Sequence, residues 1–320
     1  MSAILETYRD QLWHGWATVR AGLVDLEELT PARDELQRRI EADGFDGGRT
    51  AAWARELAST GHAVWRSVRD RRTGHIIHCM SDRRSEELTP DLVLGLHLMA
   101  WMRSVVAGPA LTWFWWDQPW ARRMPARAVP SRDHLNGGWA VPGVPEVHVY
   151  RREEAHKVLL HEAIHALKLD VPAEMLDPVR AAFESELGGR RLWPHIGEAY
   201  TELLAEWLWA IAGARSLTDA RRRWRLQREC AQTQAGIVWS RIRELPAHAA
   251  EDTNVFAYYV LKYVLMLHEE NVLVSPVGSV PFWLPWWRGA RSKMDRIAVL
   301  ARRSGSDDRA IAMGMTCGYT

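Results

Sequence analysis

The segment at residues 153–168 reads EEAHKVLLHEAIHALK. It contains neither Gly nor Pro, and its apolar residues recur three and four apart, so the spacing predicts a helix. Residues four apart share one face of a helix. The imidazoles of His161 and His165 therefore point the same way, about one turn apart. Two short β-prone segments, 138–141 and 146–150, precede this helix and predict strands beside it.

The five residues His161-Glu162-Ala163-Ile164-His165 have the spacing of a metal site. Two histidines on one helical face suit two ligands of one tetrahedral zinc ion. Glu162 follows the first histidine and is placed to act as a general base toward a water that the metal activates. The motif therefore predicts one Zn²⁺ per chain. Three protein ligands make a catalytic zinc site, so a third ligand must come from elsewhere in the chain.

The pattern along the chain predicts an α+β fold that is mostly helical, with a small mixed sheet beside the zinc-binding helix. We expect a helical region over 1–72, a domain over 73–271, and an apolar loop with a helical tail over 272–320. In the first region the third helix is expected from about Thr50 to Arg71. Further strands are predicted at 74–80 and 111–116, and a loop at 117–135. Further helices are predicted at about 89–106, 152–168, 173–187, 196–213, 218–244 and 253–270.

Three segments carry a family resemblance: HEAIH at 161–165, GEAYTE at 197–202 and, more weakly, NGGWA at 136–140. Together they resemble gluzincin-type zinc metallopeptidases, of the thermolysin-like kind. The wider stretch also resembles metallopeptidase-like proteins of large DNA viruses. The resemblance covers about residues 134–206. A metzincin would have Gly and His where this chain has Lys168 and Val171, so that class is excluded.

The resemblance implies a zincin-like fold and a hydrolase that cleaves peptide bonds. It also implies a glutamate from a later helix as third ligand, either Glu198 or, by its separation from His165, Glu184. Glu198 is preferred because Glu202 follows it four residues later. Glu202 would then accept a hydrogen bond from a ligand histidine.

The same resemblance implies an edge strand that binds the substrate main chain, with Asn136, Gly138 and Trp139 as substrate-binding residues. It further implies a donor to the oxyanion of the reaction, from a later segment of the chain. Asn254, Tyr258 and Lys262 recur every four residues on a predicted helix and line one stripe, with Tyr259 beside it. Tyr258 or Tyr259 is therefore the expected donor, and His248 is a weaker alternative. The two tyrosines would fit equally well as aromatic residues of the hydrophobic core.

Composition excludes several other functions. The chain has 320 residues with 41 Lys+Arg against 40 Asp+Glu, and this balance is untypical of a nucleic-acid protein. A transmembrane segment and a secretory signal are not expected, because long apolar runs are missing and charges occur early. Three widely spaced cysteines predict no disulfide framework and an intracellular, cytoplasmic setting. The expected partner is a peptide or protein substrate.

Two alternatives remain open at this level. One is a catalytically inactive zincin-fold protein that serves as a binding or scaffold module. The other concerns residues 272–287, VLVSPVGSVPFWLPWW, which hold three Pro and cannot be regular helix throughout. A loop packed over the core is expected there, and the Trp-rich segment could also mediate contact with a partner or a membrane surface.

Overall fold

The computed structural model describes residues 3–42, 48–124, 132–170, 187, 192, 195–244, 250, 253–272, 280–303 and 311–312. The chain divides into two compact units. The sheet unit is drawn from residues 11–121 and 136–169, and the helical unit from residues 1–10, 122–135 and 170–320. In its described part the fold is mixed α and β, mainly helical with a small mixed sheet, as the sequence predicted.

The sheet unit contains six strands in the order β1-β2-β3-β4-β7-β6. The strands β3, β4 and β7 run parallel at its centre, and the remaining pairs are antiparallel. The strands are β1 Leu26–Leu29, β2 Val64–Asp70, β3 Ile76–Ser81, β4 Thr112–Gln118, β6 Gly138–Ala140 and β7 Glu146–Arg151. The helices are α1 Ala3–Ala21, of which residues 11–21 belong here, α2 Arg33–Ala42, α3 Arg49–Ser59, α4 Ser85–Val105 and α6 Ala155–Ala166.

Strand β4, which reads TWFWWDQ, shows how helices cover both faces of this sheet. Successive side chains of a strand point to opposite faces. Trp113 therefore packs on α4, where Gly95 leaves room for it: a Cβ on Gly95 would lie 2.4 Å from the Trp113 ring. Phe114 and Trp116 pack on the other face, in a core cluster with residues of α2 and α3. A central parallel strand buried on both faces needs this nearly continuous apolar sequence.

The N-terminal 72 residues do not form the separate helical region that the sequence predicted. The third helix ends at Ser59 instead of continuing to about Arg71, and Val64–Asp70 forms β2. Leu26–Leu29 forms the outermost strand, β1. The predicted boundary at residue 73 falls between β2 and β3, which pair with each other. These segments form strands because neighbouring strands provide their backbone hydrogen-bond partners. The spacing of apolar residues within one segment does not reveal such partners.

The helical unit is built around two long helices that pack on each other. The first, α7 (Ile196–Ala212), is buried and is apolar over most of its surface. The second, α8 (Leu217–Glu244), is longer and more polar. The described elements are α5 Arg132–Leu135, α7 Ile196–Ala212, α8 Leu217–Glu244, a π-helical segment Phe256–Leu261, α9 Lys262–Leu267, α10 Glu269–Val272 and α11 Val280–Arg303. A short pair of strands, β5 Arg123–Met124 and β8 Ile311–Ala312, completes it. Segment 117–135 was predicted as loop, so β5 and α5 are additions to that prediction.

The apolar segment 272–287 is not the loop that the sequence predicted over its whole length. Helix α11 begins at Val280 and continues through Pro285. Trp287 is fully buried, with its ring 5.1 Å from that of Trp239 and 5.7 Å from that of Phe256. Residues 273–279 lie outside the described residues. In the described part, Trp287 therefore belongs to the core and is not available to a partner or a membrane surface.

A membrane-spanning helix is absent from the described part of the chain, since none of its helices combines the length and the apolar composition that crossing needs. Cys79 is free and buried in β3. The intracellular setting expected from the cysteines therefore stays a prediction. The predicted helix at 173–187 lies, apart from Leu187, outside the described residues.

Candidate metal centre

Helix α6 follows β7 directly and carries the HEAIH motif as predicted. It contacts β7, β6 and α4 within the sheet unit. Ten of its twelve residues are buried, which explains its almost continuous apolar sequence. Glu154 precedes it in the left-handed region at φ 59°, and Lys168 follows its last turn at φ 55°. The helix is therefore fixed by packing along its length, and its histidines have defined positions.

The two histidine rings of α6 face each other through their Nε2 atoms. The Nε2 of His161 lies 3.3 Å from the Nε2 of His165, and the ring centroids are 5.1 Å apart. Zinc–nitrogen bonds of about 2.0–2.1 Å at a tetrahedral angle place two ligand nitrogens about 3.4 Å apart. The separation thus fits two ligands of one tetrahedral ion. It also admits a hydrogen bond between the rings, in a tautomer that protonates one of the two Nε2 atoms.

Glu162 lies between α6 and the edge strand β6, with 7% of its surface exposed. At position 138 the strand lies so close to the helix that there is no room for a side chain larger than that of glycine. A Cβ on Gly138 would lie 3.2 Å from Cγ of Glu162, 2.9 Å from Cγ1 of Val158 and 2.4 Å from the carbonyl oxygen of His148. The structure therefore brings together two residues that the sequence had assigned to different roles, the general base and the substrate-binding strand.

Strand β6 is the last strand of the sheet at this side and pairs with β7. The predicted edge strand is therefore present among the described residues. Asn136 precedes it and is half-buried, and its carbonyl oxygen accepts a hydrogen bond from Nε of Arg151 at 2.9 Å. This bond ties the start of β6 to the end of β7.

Trp139 differs from its neighbour Gly138, because alternate residues of a strand face opposite ways. Its ring packs on the core cluster of the α2 and α3 face and stacks on the ring of His148, with centroids 4.0 Å apart and planes 5° apart. The prediction that Trp139 binds substrate is therefore not supported for its side chain, which points away from α6. Only its main chain lies in the edge strand.

Three glutamates of α7 recur every four residues and lie on one helical stripe. Glu198 is half-buried in the first turn, where its backbone N–H donates to Nδ1 of His195 at 3.2 Å. Glu202 and Glu206 are 0% and 1% exposed. These two carboxylates therefore do not belong to a solvent-exposed face of the helix.

Lys262, the first residue of α9, meets this buried acidic stripe. Its side chain is fully buried, and Nζ donates a hydrogen bond to Oε1 of Glu206. The same Nζ lies 3.6 Å from Oε1 of Glu202. The sequence places Lys262 on a stripe with Asn254 and Tyr258 but indicates no role for it. A role for Lys262 could have been predicted from the acidic residues of the apolar helix α7, because buried carboxylates need a cationic partner.

The two candidate tyrosines lie on the π-helical segment, and their surroundings differ. The backbone N–H of Tyr258 donates to the carbonyl oxygen of Asn254 at 2.8 Å, and its side chain is half-buried. Tyr259 is 0% exposed, and Nζ of Lys262 lies 5.7 Å from its ring centroid. A π-helix has a wider turn than an α-helix, so residues four apart no longer line one stripe as predicted. His248 lies outside the described residues, as does the alternative ligand Glu184.

Among the described residues, one group of side chains could hold a metal ion, with one ligand atom each: His161, His165 and Glu198. Its donors are two imidazole nitrogens and a carboxylate oxygen, a set that zinc accepts readily. The group contains the two histidines and the glutamate that the sequence named as ligands.

Comparison of the chain with family models, with curated proteins and with solved structures found no match. The resemblance to gluzincin-type metallopeptidases therefore stays a prediction.

Proposed function

We propose that this chain is a zinc-dependent hydrolase with a zincin-like fold, a gluzincin-type metallopeptidase that cleaves peptide bonds. One observation carries the proposal: the Nε2 atoms of His161 and His165 lie 3.3 Å apart on a packed helix, with Glu162 between them in the sequence. This is the separation that two ligands of a single tetrahedral ion require.

His161, His165 and Glu198 would hold one Zn²⁺ per chain, and the donor set supports this assignment. When bound, zinc lowers the pKa of a coordinated water toward about 7 and polarises the carbonyl of the scissile bond. Three protein ligands leave a fourth position for water or substrate, as in catalytic zinc sites.

Glu162 would take the proton from the attacking water and later deliver it to the leaving amine. Its position supports this role, since it follows a ligand directly and is almost wholly buried against Gly138. Water exclusion around a carboxylate strengthens its interactions with the reacting groups.

The edge strand β6 would bind the substrate main chain by adding a further strand to the sheet. Support comes from its terminal place in the described sheet and from its contact with α6 at Gly138. Asn136, at the start of β6, would contribute a polar contact. The side chain of Trp139 takes no part in this proposal.

Tyr258 is the better candidate for the donor to the oxyanion, because Tyr259 is wholly buried beside Lys262. A half-buried tyrosine can reach a substrate, whereas a fully buried one is part of the core. Glu202 would accept a hydrogen bond from a ligand histidine and so orient its ring. Its complete burial is consistent with that role.

Metal content and peptide cleavage test the proposal together. Purified protein is expected to hold one zinc per chain, and Glu198→Gln is expected to lose affinity while Glu184→Gln keeps it. A broad peptide library is then digested by wild type and by Glu162→Gln, a variant that retains the shape of the side chain but not the base. Wild type should cleave, and the variant should bind zinc yet lose nearly all turnover.

Three results would contradict parts of this proposal. A chain that binds no zinc excludes the metalloenzyme. Zinc loss in Glu184→Gln but not in Glu198→Gln reassigns the third ligand. Zinc binding without any cleavage by wild type favours the alternative, a catalytically inactive zincin-fold scaffold.

A further inference from the structure

A buried cluster of one lysine and two glutamates lies within the helical unit, between α7 and α9. Lys262 is 0% exposed, and its Nζ hydrogen-bonds Oε1 of Glu206 and lies 3.6 Å from Oε1 of Glu202. Burial of an ammonium group or a carboxylate is costly unless the charge has an opposite partner and hydrogen bonds. The three side chains are therefore mutually dependent.

The two carboxylates interact with the ammonium group of Lys262 in different ways. Glu206 takes the hydrogen bond, and Glu202, one helical turn closer to Glu198, lies beyond hydrogen-bond distance at 3.6 Å. Its attraction to Lys262 is therefore Coulombic. A carboxylate offers about four acceptor positions, so this contact leaves Glu202 able to accept hydrogen bonds from another donor.

The lysine is itself held from two sides. Glu206 anchors Nζ by the hydrogen bond, and the ring of Tyr259 lies 5.7 Å from the same atom. Lys262 begins α9 directly after the π-helical segment, and both elements pack on α7. A cation fixed in this way sets the position of the carboxylate beside it more narrowly than a mobile surface lysine would.

We infer that Lys262 is a positioning residue of the metal centre, which acts on the bound metal through Glu202. The inference rests on the proposed function, in which Glu202 orients a ligand histidine. Lys262 fixes the Glu202 carboxylate, and Glu206 fixes Lys262. Its loss should therefore weaken metal binding, although Lys262 is itself no ligand.

The test measures zinc affinity by competition with a chromophoric chelator, so that it does not depend on a known substrate. Glu202→Gln and Lys262→Met are each expected to weaken zinc binding by about 10–100-fold, the usual effect of losing a group that orients a ligand. The double variant should bind zinc about as weakly as either single variant, because both changes remove the same interaction.

A matched control comes from a second buried acid of the same unit. Glu269 is 5% exposed and accepts hydrogen bonds from Nε1 of Trp224 and Nη1 of Arg228. Glu269→Gln should lower the unfolding midpoint and leave zinc affinity unchanged. This separates a loss of stability from a loss of positioning.

If Lys262→Met does not fold, Glu206→Gln takes its place in the cycle with Glu202→Gln, because it removes the anchor of the lysine. Unchanged zinc affinity in Lys262→Met, or in Glu206→Gln where that replaces it, would overturn the inference while the proposed function stands. Additive losses in the double variant would also overturn it, since Lys262 would then act without Glu202. A wild type without zinc affinity would refute the proposed function first, and the inference with it.

Discussion

Two pairs of histidines in the sheet unit show how one residue type takes on different roles. His161 and His165 lie four apart on α6 with their Nε2 atoms 3.3 Å apart. His78 and His148 lie on neighbouring parts of the sheet, where their rings stack with aromatic side chains. We call this stack, which crosses β3, β4, β7 and β6, the aromatic ladder: His78, Phe114, His148 and Trp139.

Stacking in the aromatic ladder is close throughout. Ring centroids are 5.2 Å apart between His78 and Phe114, 5.0 Å between Phe114 and His148, and 4.0 Å between His148 and Trp139. Burial, together with the positive charge of Arg39, lowers the pKa of His148 to about 3. His148 is thus neutral at ordinary pH and packs as an aromatic ring. A histidine that is buried among aromatic rings is thus held neutral and serves in packing, whereas two histidines paired on one helical face keep a geometry that suits metal binding.

The largest expected difference between the two pairs is in metal binding. His161→Ala and His165→Ala should each abolish stoichiometric zinc, because each removes one of three protein ligands. His148→Phe should keep full zinc content, since its ring serves in packing. Elemental analysis of the three purified variants checks this.

Equal zinc content in all three variants would contradict the prediction that His161 and His165 bind zinc and that His148 does not. Circular dichroism spectra of each variant serve as the control that a loss of zinc does not reflect a loss of fold.

A smaller effect is expected from the tyrosines, which contrast a half-buried side chain with a fully buried one. Tyr258→Phe should raise the activation barrier by about 2–4 kcal/mol, the usual contribution of one oxyanion donor. Tyr259→Phe should change turnover little, since Tyr259 is fully buried. The measurement is kcat/KM on a cleaved library peptide, with zinc content as control. A larger loss in Tyr259→Phe would reverse the assignment.

The smallest effect concerns acid stability of the aromatic ladder. The pKa of His148 is about 3 in the folded chain and about 6.5 when it is exposed on unfolding. The unfolded chain therefore binds more protons between these values, and stability falls as pH falls through this window. The slope from one such histidine is about 1.4 kcal/mol per pH unit. Between pH 7 and pH 5, wild type should thus lose about 2 kcal/mol more than His148→Phe.

Urea unfolding of both chains at the two pH values, with zinc removed, measures this difference. His62 is exposed, so His62→Gln is the matched control and should retain the pH dependence of wild type. The same pH dependence in His148→Phe as in wild type would show that His148 does not titrate on unfolding.

The secondary structure was predictable from the sequence where the composition and periodicity of a segment are sufficient to indicate it. The strands β3, β4 and β7 and the helix α6 follow from local periodicity and composition, and the structure confirms them. Segments that depend on a distant partner were predicted wrongly. Val64–Asp70 has a helical pattern of apolar residues, yet it pairs with β3 along its length. Trp287 was expected in a loop and lies buried beside Trp239.

The helix that bears His161, Glu162 and His165 could be predicted from local sequence, and its two histidines share a face because residues four apart on a helix do so whatever surrounds them. The rest of the site depends on how distant segments pack. The tertiary structure placed the Gly138 main chain against Glu162, turned the Trp139 side chain to the opposite face, and buried Lys262 between Glu202 and Glu206. These contacts join residues far apart in the chain, and their geometry depends on strand register and helix packing. Neither is encoded in the spacing of a single segment.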